Sequence, residues 1–127
     1  MRYLLDTNLL CKETNPRARN WIVQHQLQIA IASMTVAEIA QGIEALPQSK
    51  RRTRLKLFLD ELLEDYPVLP FDTAAALAWA RYVTQAGRPL PVRDSIIAAV
   101  ALANNLEVVT ENASDFANIE TVNPMKD

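Results

Sequence analysis

The stretch DSIIAAVALANNLEVVT, residues 94–110, decides the fold class. Its first part, Asp94–Asn105, reads as a helix that is apolar nearly all round, the pattern of a helix covered on every side. Leu106–Thr110 follows at once as a short apolar run of strand length. The same alternation extends outward. Upstream, Thr73–Gln85 reads as a helix with Leu77, Trp79 and Ala80 on its apolar side, ended by Gly87. Tyr66–Phe71 is a short strand bounded by Pro67 and Pro70, which suits a sheet edge. Ser49–Asp65 is a long charged helix with Leu55, Leu59, Leu62 and Leu63 inward, and Thr35–Leu46 is a helix with Val36, Ile39, Ala40 and Ile43 at helical spacing. Leu27–Ala32 is a strand. Asn15–Gln26 is a helix opened by Asn-Pro, a cap followed by proline at the first helical position. Arg2–Asp6 is a buried strand turning into helix, and Thr121–Asn123 is a last short strand.

Short apolar strands alternating with helices predict an α/β fold, with a parallel sheet of about four or five strands sandwiched between α-helices. The length, 127 residues, suits one domain over 1–127 with a single sizeable core. No leader is visible, because the apolar run after Arg2 stops at Asp6, short of an h-region of ~7–15 residues. No stretch reaches the ~20 apolar residues a membrane span needs, so no membrane association is expected. The lone cysteine, Cys11, suits a reducing cytoplasm and reads as a small buried residue near the end of the first strand.

Composition excludes much chemistry. One His (His25) and one Cys cannot build a zinc site of about four N or S ligands. Gly42 and Gly87 are too far apart for a phosphate-cradling loop. Any enzyme chemistry therefore falls to carboxylates. In a parallel sheet, ligands bind beyond the carboxyl ends of the strands, and four acids map there. Asp6 follows the first strand, Glu38 lies one turn into the helix after the second, Asp94 opens the buried helix, and Asp115 lies five residues past Thr110. Each has a plainer role as well: Asp6, Asp94 and Asp115 could cap turns or helices, and Glu38 could be solvated, although no Lys or Arg pairs with it locally.

Together they are more telling. At ~4 Å and an effective dielectric near 20, each carboxylate pair costs about 4 kcal/mol. Such a cluster persists only with raised pKa values or a bound cation. Oxygen-only donors suit Mg²⁺ or Mn²⁺, and such ions activate water and stabilise the oxygens of a phosphodiester under attack.

Four segments carry a resemblance: Tyr-Leu-Leu-Asp-Thr-Asn at 3–8, Ala-Glu-Ile at 37–39, Arg-Asp-Ser-Ile-Ile-Ala-Ala at 93–99 and Val-Thr-Glu-Asn-Ala-Ser-Asp-Phe at 109–116. In order and spacing, over nearly the whole chain, they resemble the PIN-domain family, and within it the VapC/FitB toxins of type II toxin–antitoxin systems. The resemblance implies a Mg²⁺- or Mn²⁺-dependent endoribonuclease that cuts tRNA or rRNA. It implies a homodimer, inhibited by a small antitoxin whose tail enters the acidic groove. By position, Asp6, Glu38, Asp94 and Asp115 match the family's acidic catalytic and metal-binding residues. Thr110 is expected to orient a carboxylate or a metal-bound water, and Asn112 to order the loop. Many relatives carry Arg where this chain has Glu111, which is expected to be a solvated side chain.

The remaining features divide between plain and functional roles. Lys50, Arg51, Arg52, Arg54 and Lys56, followed by Asp60, Glu61, Glu64 and Asp65, suit either a solvated helix or contact with an RNA backbone. Arg88 and Arg93 flank the proline-rich loop before Asp94 and are further candidate RNA contacts; Arg93 could equally pair with an acid. Trp21, Trp79 and Phe71 are expected in the core or a dimer face, and His25 late in an exposed helix is expected to be unremarkable. Alternatives to the ribonuclease are a PIN-like RNA-binding module without catalysis and a DNA-directed metal-dependent nuclease. A phosphoacceptor receiver would want a Lys after a late strand, which is missing, and an Asp-x-Asp phosphatase is excluded by Asp6-Thr7-Asn8. The net charge of −2 weighs against nucleic acid, but setting the four site acids aside leaves 11 acidic residues against 13 basic.

Overall fold

The computed structural model describes residues 1–10 and 15–126; Cys11 lies outside them. The strands are β1 (Tyr3–Leu5), β2 (Ile29–Ala32), β3 (Val68–Leu69), β4 (Glu107–Val109) and β5 (Thr121–Val122). The helices are α1 (Thr7–Leu10), α2 (Pro16–His25), α3 (Ser33–Glu44), α4 (Lys50–Asp65), α5 (Thr73–Gln85) and α6 (Val92–Ala103). All five strands run parallel in the order β3-β2-β1-β4-β5. The chain thus builds one side of the sheet out to β3 and then crosses to the other side of β1. The crevice between oppositely departing connections opens at the carboxyl end of β1, where ligands bind in such sheets.

The period of two along each strand separates two cores. Tyr3, Leu5, Ile29, Ile31 and Val109 face one layer with Ala18, Ile39, Ile43 and Leu62. Leu4, Ala30, Ala32 and Val108 face the other with Ala75, Tyr82, Ile97, Ala98, Val100, Ala101 and Phe116. Both faces of the sheet are covered, which explains why the strands lack polar alternation. β3 and β5 are edges of two residues each, and the prolines 67 and 70 bound β3 as the sequence predicts.

Several local expectations are corrected. The second strand begins at Ile29 rather than Leu27: Gln26–Gln28 form a 3₁₀ turn that leaves Leu27 99% exposed. Helix α6 begins at Val92, two residues ahead of the expected start. Pro91, at φ −56, is already near the helical φ, and its carbonyl accepts from the Ser95 N–H at 2.9 Å. Asp94 is therefore the third residue of the helix and does not cap it. Helix α5 buries Ala75, Ala78 and Tyr82, leaving Leu77 58% exposed and Ala80 exposed. The small residues let α5 approach the alanine-rich α6 closely, while Trp79 is half-buried and donates its indole N–H to Ser95 Oγ at 2.9 Å. In α4 only Leu62 is fully buried; Leu55 and Leu59 are half-buried and Leu63 is exposed. Phe71 is largely exposed. His25 is not an idle surface residue: its ring stacks on Trp21 with centroids 4.1 Å apart, and Nδ1 lies 2.7 Å from the Trp21 carbonyl.

Helix α4 runs against ordinary helix electrostatics. Five cations occupy its first two turns and four carboxylates its last six positions. Cations at a helix N-terminus and anions at its C-terminus each oppose the macrodipole, by about 0.3–1 kcal/mol at an exposed site in low salt. Lys50–Arg54 and Arg52–Lys56 are also like-charged i,i+4 pairs, which are destabilising. The helix is held by its Ser49 cap, whose Oγ accepts from the Arg52 N–H at 3.1 Å, and by packing on α3.

Candidate active site

Asp6 is the first residue past β1, and its backbone N–H continues the ladder to β4 by donating to the Val109 carbonyl at 2.9 Å. Its side chain is 3% exposed. The backbone N–H groups of Thr7 and Asn8 lie beside the carboxylate and favour its charged form. Its Oδ2 accepts from Thr110 Oγ1 at 2.8 Å. Thr110 is fully buried, and its hydroxyl in turn accepts from the Asn112 N–H at 3.0 Å. Asn112 thus acts through its backbone, with its side chain exposed. Burial pushes the Asp6 carboxyl above the usual carboxylate range, Glu38 pushes it further, and the Thr110 hydroxyl opposes the rise.

Glu38 projects from the second turn of α3. Its Oε1 accepts from Thr7 Oγ1 at 3.1 Å, and Thr7 also shares a 3.3 Å hydrogen bond with the buried Thr35 hydroxyl. Glu38 Oε2 lies 3.7 Å from an Arg93 guanidinium nitrogen. The local sequence offers Glu38 no cation, and the fold supplies one from α6. Asp94, one residue on, is half-buried. Burial, then the charges of Asp6, Asp115 and Glu38, push its carboxyl up to about 6. All four predicted acids therefore act on one point. Asp115 ends the 3₁₀ turn Ala113–Asp115, which is anchored by buried Phe116 and by Arg88, whose Nη2 donates to the Ser114 carbonyl at 2.7 Å.

The arrangement brings Asp6, Glu38, Asp94, Asp115, Thr110 and Arg93 to the carboxyl edge of the sheet. Arg51, Arg52 and Arg54 stand apart on α4, where Arg52 pairs with Glu44 at 3.3 Å. Glu111, expected to be solvated, is half-buried and engaged. Sequence reasoning missed Thr7 and Thr35 as supports for Glu38. A hydroxyl beside the strand-end carboxylate in Asp6-Thr7-Asn8 was the signal available for Thr7. Among the described residues, as they are placed, no group of three or more His, Cys, Asp or Glu is close enough to hold a metal ion directly.

A parallel α/β sheet with an acidic crevice at its switch point defines the class of protein, and the sequence fits a family of that class. Residues 3–121 match the PIN domain, so the chain belongs to the PIN-domain family. It is 34% identical to the plasmid stability protein StbB of Pseudomonas syringae pv. tomato, covering 95% of this chain and 96% of the relative. It is 33% identical, with the same coverage of both chains, to the VapC ribonuclease Y4jK of Sinorhizobium fredii. Among solved structures it resembles FitAcB from Neisseria gonorrhoeae, with a TM-score of 0.84 and 29% identity over 96% of this chain and 97% of the other. No helix among the described residues is long and apolar enough to cross a membrane.

Proposed function

We propose that this chain is a Mg²⁺- or Mn²⁺-dependent endoribonuclease, the toxin of a toxin–antitoxin pair, working in the cytoplasm on tRNA or rRNA. The observation that carries the reading is the convergence of Asp6, Glu38, Asp94 and Asp115 on one crevice, where burial and then the charges of the other three push the Asp94 carboxyl up to about 6. The donor set fits a hard divalent ion: it is all oxygen, and Mg²⁺ keeps several waters, so it needs no closed protein cage. Asp6, Asp94, Asp115 and Glu38 would hold it, and when bound it would supply charge neutralisation and a more acidic water.

The chain's own residues do the positioning. Thr110 fixes one oxygen of Asp6 and so sets the orientation of the carboxylate at the crevice. Thr7 fixes Glu38 from the side of α1. Arg93, exposed and only loosely paired at 3.7 Å, is free to turn from Glu38 to a substrate phosphate once the acidic charge is neutralised. Relatives named as ribonucleases favour RNA over DNA as the substrate. Solved relatives described as VapBC and FitAB complexes support a small antitoxin partner, and the acidic crevice suits a basic antitoxin tail. A homodimer belongs to the same reading.

The test is cleavage of total RNA by purified protein, followed by sequencing of the new 5′ ends. Asp6→Asn and Asp94→Asn should abolish both cleavage and growth arrest while the fold is retained. EDTA should stop the reaction, with Mg²⁺ or Mn²⁺ restoring it. Undiminished cutting by both variants, or after thorough chelation, would sink this assignment.

A further inference from the structure

Helix α4 carries a charge pattern that its own stability opposes and that the acidic crevice does not use. Lys50, Arg51 and Arg54 are exposed, and no ion pair among the described residues engages them; Arg52 alone is drawn to Glu44. On a helical projection the three fall within one third of the circumference, at spacings i, i+1 and i+4. Arg52 and Lys56 fall on the opposite side. The apolar residues of α4 that pack on the core lie further along the helix, so this basic end is not needed to seat it. Lys50, Thr53 and Arg54 line a shallow open depression of about 560 Å³ with Gln48 and Ser49.

The patch also has a defined relation to the crevice. Arg52 fixes the start of α4 against Glu44, the last residue of α3, six residues beyond Glu38. At 1.5 Å per residue, that places it about 9 Å along the helix axis from the site carboxylate. Lys50, Arg51 and Arg54 lie across α4 from Arg52, so a strand leaving the crevice along α3 must round the start of α4 to reach them, which only an RNA longer than the crevice can do.

We propose that Lys50, Arg51 and Arg54 form a remote grip for the phosphate backbone of the RNA substrate, separate from the crevice that cuts it. The proposal rests on the endoribonuclease reading above. It explains how a chain of net charge −2, with four of its 15 acids at the cutting site, holds a polyanion: attraction is displaced to a cationic face that no ion pair among the described residues engages. An acidic segment of a protein partner would match the same charge, and Leu57 stands exposed on the same face one turn further on; the depression itself is lined by Gln48, Ser49, Lys50, Thr53 and Arg54, with no apolar side chain to anchor a protein, which favours a phosphate backbone.

The test uses full-length Asp94→Asn protein in EDTA and a labelled single-stranded RNA, with binding followed by fluorescence anisotropy across a salt series. Replacing Lys50, Arg51 and Arg54 together by Gln should flatten the slope of log K against log salt by about 2, at about 0.7 per phosphate contact on a single strand. A control with the same charge change elsewhere, Lys56→Gln with Arg81→Gln and Lys126→Gln, should leave the slope in place. In the otherwise unaltered chain, the α4 substitutions should raise KM on an RNA long enough to reach α4, and not on an oligonucleotide confined to the crevice. An unchanged slope and KM would overturn the grip while cleavage by the parent chain left the nuclease reading intact. Loss of affinity for an acidic peptide with RNA binding unaltered would overturn it in favour of a protein partner. A flattened slope with no cleavage of any RNA by the parent chain would uphold the grip and refute the nuclease.

Discussion

Replacing Asp94 by Asn should stabilise this protein in the absence of divalent ions while destroying its activity. The ordinary carboxyl value is 3.8, and the folded protein raises it to about 6. The folded state therefore binds a proton that the unfolded chain has released between those pH values. Stability from this group is fully present below about pH 3.8 and is lost as pH rises through 6. At 1.36 kcal/mol per pH unit, the full interval sets a ceiling of about 3 kcal/mol. Asp94 is only half-buried, and water screening reduces the expected cost to about 1–2 kcal/mol. Asparagine keeps the size and carries no charge, so the variant should exceed the parent by that amount at pH 8 and converge with it near pH 4. For a domain of this length, each kcal/mol moves Tm by about 3–5 °C. Thermal and urea unfolding in EDTA, with pH stepped from 4 to 8, give the difference curve directly. Parallel pH curves for the two proteins would refute the reasoning, because the raised carboxyl would then not depend on folding.

Further outcomes follow from the same geometry. Thr110→Val keeps the shape of a fully buried side chain but strips Asp6 of its hydroxyl donor and the Asn112 N–H of its acceptor; a loss of about 2–4 kcal/mol in urea unfolding is expected, with weaker Mg²⁺ binding by calorimetry, and a neutral result would remove Thr110 from the site. Mg²⁺ at about 100 times its Kd should stabilise the parent by about 2.7 kcal/mol, and a Tm indifferent to the ion would count against a carboxylate metal site. Ala78→Leu should cost about 1–3 kcal/mol by overpacking the close contact between α5 and α6, whereas Leu77→Ala should be nearly silent in the same denaturation assay. Arg51→Glu should raise Tm slightly at low salt by relieving the reversed polarity of α4, a gain of about 0.5–1 kcal/mol that should fade in high salt.

The parts of the fold that were legible in the sequence are those where one local signal had no competitor. The all-apolar run after Ser95 could only be a covered helix, and prolines 67 and 70 left β3 little choice but an edge. The acids at strand ends were visible because topology, not contact, puts strand ends together. Where two signals competed, the shape of the chain decided. Asp94 is a better capping residue than Pro91, yet the fixed φ of proline starts α6 earlier. Leu77 and Trp79 outweigh Ala75 and Ala78 in hydrophobicity, yet close helix packing selects the small residues. Leu27 looked like strand by composition and is turned out to water by a 3₁₀ turn. The supports of Glu38 were illegible for a different reason: Thr7 lies 31 residues away in sequence, and Arg93 comes from α6, so neither leaves a local trace.

The hydrogen bond from Thr110 to Asp6 joins positions 104 residues apart, and it sets an order of events during synthesis. Asp6 is made 104 residues before the threonine that aims it. Glu38 and Asp94 follow without the threonine that fixes the oldest carboxylate, and Asp115 arrives only after that threonine. The geometry of the crevice is therefore not in place in a nascent chain until Thr110 and Asp115 have been added.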